Sequence, residues 1–130
     1  MQIETLNKTI LVVDDAEDYL QALARTLSSN WHVLCARSAS EARRVVEAQR
    51  PDVALVDVRL SESDPSNREG IELLAWLRQR DASIPVVVMS AYRDTDATEE
   101  AMRLGARTFV KKPLDLRSLK ALVAGVCEEG

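Results

Sequence analysis

Short, unbroken apolar runs alternate with amphipathic stretches along this chain. Thr9 to Val13, Val53 to Val56 and Pro85 to Met89 are the runs, and Trp31 to Ala36 and Arg107 to Val110, each with polar residues, read as two further short strands. Each is too short for a helix, and consecutive apolar positions suit strands covered on both faces of a parallel sheet. The stretches between them place apolar residues at helical spacing. Tyr19, Leu20, Leu23 and Leu27 line a helix over 16–28; Ala42, Val45 and Val46 line one over 38–49; Ile71, Leu74 and Leu77 line one over 69–80, with Trp76 as a packing residue. The helix over 94–104 has the thin stripe Ala97, Ala101 and Leu104, stopped by Gly105, which predicts a loosely anchored helix among the more mobile ones. Leu116, Leu119, Leu122, Val123 and Val126 line the last, from Asp115 to about Cys127. Strand and helix thus alternate five times, which predicts an α/β fold: a doubly wound, five-stranded parallel sheet with right-handed crossovers and five helices.

The polar residues fall where strands end. Asp14 and Asp15 come after the first run, Asp57 after the third, Ser90 after the fourth and Lys112 after the fifth. In open sheets of this kind ligands bind beyond the carboxyl ends of the strands. Each residue has a plainer reading: Asp57 could cap the next segment of chain, and Asp15 with Asp18 could cap the first helix. As a set they point to chemistry. Three converging carboxylates repel one another unless cations neutralise them, and oxygen ligands suit Mg2+ or Mn2+. Lys112 and the Ser90 hydroxyl would complete a cradle for a phosphoryl group, leaving Asp57 as the nucleophile that forms an acyl phosphate.

Composition narrows the field. The 130 residues make one domain, 1–130, with a core at about 9–127; 46% are hydrophobic and 29% charged, the balance of a globular chain. A net charge of -4 argues against direct nucleic-acid binding, and no segment resembles a signal peptide or a membrane-inserting span, so the chain reads as cytoplasmic. Arg37, Arg43, Arg44 and Arg50 are interspersed with Glu41 and Glu47 and read as a solvated helix face. Cys35 and Cys127 lack metal or redox spacing and read as small packing residues, and His32 has no partner ligand nearby. Met1 to Lys8 is polar and reads as a frayed end.

Asp14-Asp15, Asp57, Ser90-Ala91, and Phe109 three residues before Lys112-Pro113 together resemble the response-regulator receiver domain of two-component signalling, over Thr9 to Cys127. The resemblance implies the flavodoxin-like strand order 2-1-3-4-5. It makes Asp57 the phosphoacceptor, with Asp15, Asp14 and the backbone carbonyl of Arg59 around the metal, Lys112 on the phosphoryl oxygens and a cis bond to Pro113. Ser90 and Phe109 would be the switch pair that remodels the surface of the fourth helix, fifth strand and fifth helix. The phosphoryl donor would be a sensor histidine kinase or a phosphotransfer protein, and the remodelled surface would meet a second receiver, as a homodimer, or an output domain.

Three features depart from the family pattern. Gly70 lies thirteen positions after Asp57, where the family commonly has about eight, so the loop over 61–69 is long. Arg59 and Tyr92 occupy positions that control water access in the family, and both are bulky. No output domain comes after Gly130, so the stretch reads as a stand-alone receiver or a portion of a longer protein.

Other classes fit less well. A haloacid-dehalogenase-type phosphatase would need an Asp where Arg59 stands. A flavodoxin-like flavin protein would need a phosphate loop rich in Ser, Thr and Gly, where Asp14 to Asp18 is acidic. A receiver fold that binds a partner without being phosphorylated is the main alternative, kept open by the long loop.

Overall fold

The computed structural model describes residues 8–61, 64 and 66–129. Five parallel strands, β1 (Thr9–Val13), β2 (His32–Ala36), β3 (Val53–Asp57), β4 (Val86–Ser90) and β5 (Thr108–Lys111), form one sheet in the order β2-β1-β3-β4-β5. The helices are α1 (Glu17–Leu27), α2 (Ala39–Ala48), α3 (Glu69–Arg80), α4 (Thr95–Arg103) and α5 (Leu116–Glu129). A 3-10 turn over Tyr92–Asp94 leads into α4.

The sheet divides the core in two, because successive strand residues face opposite sides. Leu11, Val13, Ala54, Val56, Val86 and Val88 pack against α2, α3 and α4. Ile10, Val12, Val53, Leu55, Val87 and Met89 pack against α1 and α5. β1, β3 and β4 are buried along their whole length, which accounts for their unalternating apolar sequences. Cys127 is buried and Cys35 half-buried in the second cluster, while Trp76 packs at the edge of the first beneath the guanidiniums of Arg43 and Arg80.

Several local expectations are corrected. The residue capping α1 is Ala16, without a side-chain cap; Asp14 Oδ1 accepts the Ala16 N–H at 2.9 Å, so Asp15 and Asp18 do not form the expected cap. On α4 the buried residues are Thr98 and Ala101, and Leu104 is 39% exposed. The helix ends at Arg103, and Gly105, with φ 109°, turns the chain away before Leu104 can reach the core. The expected ends shift by a residue or so elsewhere: β2 starts at His32 and β5 runs to Lys111. Segment 1–7, residues Glu62, Ser63 and Pro65 of the long loop, and the Tyr92 side chain lie outside what is described. Among the described residues no helix is long and apolar enough to cross a membrane.

Candidate functional site

The carboxyl ends of β1 and β3 lie side by side, with Val13 in register with Val56, so the next residues, Asp14 and Asp57, emerge together. Continuing the next strands brings Ser90 and Lys112 to the same edge; the Lys112 N–H donates to the Ser90 carbonyl at 2.8 Å, and the Lys112–Pro113 bond is cis. Behind Asp57, the start of α3 is pressed against the strand. A Cβ on Gly70 would collide with the backbone carbonyls of Asp57 and Val58, so this close approach requires glycine.

Lys112 ties the acidic residues together. Its Nζ donates to Asp57 Oδ2 at 2.8 Å and to Asp14 Oδ2 at 2.9 Å. Asp57 Oδ1 accepts the Arg59 backbone N–H at 3.1 Å. Asp14 is fully buried and Asp57 is 4% exposed. Burial pushes the Asp57 carboxyl up to about 6, against the pull of the lysine, with Asp14 adding to the rise. Burial also works against the charged Lys112, but Asp57 and Asp14 outweigh it and hold the ammonium above its usual range.

Ligand oxygens of Asp14, Asp15 and Asp57 all lie within 4.8 Å of one another. Asp15 Oδ1 is buried without a hydrogen-bond partner among the described residues. Such an atom needs either a donor or a cation, and three hard carboxylate donors at this separation fit a divalent metal. An open cleft of about 310 Å³ reaches Asp57 and is also lined by Tyr19, Arg59, Ala91, Asp94 and Lys112.

Ser90 is fully buried, and its Oγ has no hydrogen-bond partner among the described residues. Phe109 is 41% exposed on the outer side of β5, with the Lys111 ammonium 5.8 Å from its ring centroid. Arg59, in contrast, turns inward: its side chain is 7% exposed, with Nε 3.5 Å from Asp94 Oδ1. The sheet edge therefore brings together Asp14, Asp15, Asp57 and Lys112, with Ser90 beside them and Phe109 turned away.

Two residues join the site that the sequence does not mark for it. The Lys112 ammonium lies 4.6 Å from the Tyr19 ring centroid, so Tyr19 walls the site as well as packing in the core. Asp94 lines the cleft and holds Arg59. Tyr19 could have been found from its place in the first turn of α1, directly after the strand-end acids; Asp94 carries no signal of its own.

The response regulator receiver domain model matches residues 10–124. The chain is 33% identical over 115 residues to the regulatory protein AtoC of Escherichia coli, covering 88% of this chain and 24% of that protein. It is 30% identical over 119 residues to the sporulation initiation phosphotransferase F of Bacillus subtilis, covering 91% of this chain and 92% of that one. The receiver domain of NtrX from Brucella abortus superposes with a TM-score of 0.80 at 30% identity, over 92% of this chain and 98% of that one. The chain spans about a quarter of the length of AtoC and of the similarly matched PilR and ZraR.

Proposed function

The chain belongs to the response regulator receiver family of two-component signalling, and on that premise we propose that it accepts a phosphoryl group on Asp57. The observation that carries this reading is the buried Asp57 carboxylate bonded to Lys112 and grouped with Asp14 and Asp15. Receivers are not classical enzymes; the chain acts on itself.

In the step itself, an Asp57 carboxylate oxygen bonds to phosphorus while the bond from phosphorus to the donor's imidazole nitrogen breaks. The electron pair of that bond leaves with the nitrogen. Lys112, already within hydrogen-bond distance of Asp57, offsets charge on the phosphoryl oxygens, and the Ser90 hydroxyl, without a partner among the described residues, donates to them. Asp14, Asp15, Asp57 and the Arg59 carbonyl would hold Mg2+ or Mn2+, which when bound neutralises charge on the transferring oxygens. Arg59 and Tyr92 limit water access and so slow loss of the group.

Once drawn to the phosphoryl group, Ser90 frees space that the exposed Phe109 ring turns in to fill, and the surface of α4, β5 and α5 is remodelled. The donor is a sensor histidine kinase or a phosphotransfer protein, and the remodelled surface meets a second receiver or an output domain. The relative matched over nearly its full length is named a phosphotransferase, which supports a place in a phosphorelay. The net charge of -4 fits a cytoplasmic domain, 1–130, that does not itself bind nucleic acid.

Intact mass after incubation with acetyl phosphate and Mg2+ tests the reading. One added phosphoryl group is expected in the wild type, and none in Asp57→Asn or without the metal. No adduct on a folded wild type would overturn the reading in favour of phosphorylation-independent partner binding.

A further inference from the structure

Arg59 is the unusual cation of this site. It stands two residues beyond the phosphoacceptor, yet its side chain is 7% exposed and directed to Asp94, itself 12% exposed, at the start of α4. Both residues line the cleft that reaches Asp57. Asp94 is the tie that holds this corner: its Oδ2 accepts the Ala91 N–H at 3.4 Å, and its carbonyl accepts the Thr98 hydroxyl at 2.9 Å. From there the contacts continue outward. The Ala91 carbonyl accepts from Lys111 Nζ at 3.4 Å, and that ammonium lies over Phe109.

Resting on the reading that Asp57 is phosphorylated, we propose that Arg59 is a phosphoryl-binding cation that Asp94 holds in reserve. A phosphoryl group on Asp57 brings close to two negative charges and several acceptor oxygens into the cleft that the guanidinium already lines. Against the Asp94 carboxylate at 3.5 Å it is the stronger partner, because it carries close to twice the charge and offers more acceptor oxygens to the guanidinium's fork of donors. When Arg59 changes partner, Asp94 is left as a largely buried carboxylate without that cation, an arrangement that is disfavoured. The Asp94 side chain then turns to solvent and the first turn of α4 moves with it. The partner exchange thus links the acidic site to the loosely held helix by a route separate from Ser90 and Phe109.

The test compares wild type, Arg59→Gln, Asp94→Asn and the double variant after incubation with acetyl phosphate and Mg2+. Intact mass follows the adduct and its decay; amide hydrogen exchange follows residues 94–104. In the wild type, exchange over 94–104 rises about fivefold or more on phosphorylation. Both single variants show the raised exchange before phosphorylation, and the double variant adds nothing further. Adduct lifetime separates them: Asp94→Asn lengthens it, because one carboxylate that competes for Arg59 is gone, and Arg59→Gln shortens it. A purely structural ion pair would move both lifetimes alike, and that result, or unchanged exchange in the variants, overturns the proposal while leaving Asp57 phosphorylation intact. Absence of any adduct on folded wild type would overturn both readings together.

Discussion

The edge of the sheet at β1 and β3 and the flank at α4 and β5 are built on opposite terms. At the first, each oxygen of Asp14 and Asp57 has a partner: Asp14 meets the Ala16 N–H and Lys112, and Asp57 meets the Arg59 N–H and Lys112. At the second, Met102, Leu104 and Phe109 are 37–41% exposed, and α4 buries only small or polar residues. A second cleft lies on this flank, lined by Thr98, Met102, Phe109 and Lys111. Charge on buried, mutually paired groups makes one region sensitive to any change of ionic state. Meagre apolar burial makes the other easy to move. A signal that begins as added charge at the first can therefore emerge as displacement at the second.

Removing the central cation should have the largest effect. Lys112→Ala leaves Asp14 and Asp57 buried without their ammonium, and a loss of about 3 kcal/mol is expected in denaturant titrations at pH 8 without divalent metal. The loss shrinks at pH 5, where the Asp57 carboxyl takes up a proton instead.

An opposite sign is expected for Asp57→Asn under the same metal-free conditions. The folded-state Asp57 carboxyl is raised to about 6, so between pH 4 and 6 the folded protein holds a proton that the unfolded chain has released. Wild type thus loses stability from this group as pH rises through that window, and Asn does not. The variant should be more stable by about 3 kcal/mol at pH 8, with the gap closing toward pH 4. Adding Mg2+ should narrow the gap at pH 8, since the metal stabilises the ionised wild-type site. A variant no more stable than wild type at pH 8 would show that burial does not burden Asp57.

The smallest change in stability is expected at the flank. Phe109→Ala removes an exposed ring and should shift stability by less than about 0.5 kcal/mol, read from the melting temperature. A loss several times larger would mean that the ring is already packed in the unphosphorylated protein, and the contrast between the two regions would fail.

Most of the fold was legible because parallel strands buried on both faces leave continuous apolar runs, as in Val53 to Val56 and Val86 to Met89. The acidic cluster was legible for a related reason: carboxylates directly after such runs have few places to go, and the topology gathers them. What could not be read depended on side-chain direction. From sequence Arg59 is a bulky residue at the site entrance; in the structure it lies buried against Asp94, a contact across 35 positions that no local pattern encodes. Leu104 continues the α4 stripe in sequence, but the left-handed Gly105 ends the helix and leaves it outside. Asp15 has the look of a cap, and Asp14 takes that backbone contact in its place.

The glycine pressed against the Asp57 backbone has a consequence for how this chain can vary. Because Gly70 seats α3 directly on the end of β3, the thirteen-residue spacing between Asp57 and Gly70 is absorbed between two fixed anchor points. Stretching that span from about eight residues to thirteen costs only about 0.4 kcal/mol in closure entropy. The span is thus a tolerant place for insertion, where new length and charge can be tried without unseating Asp57.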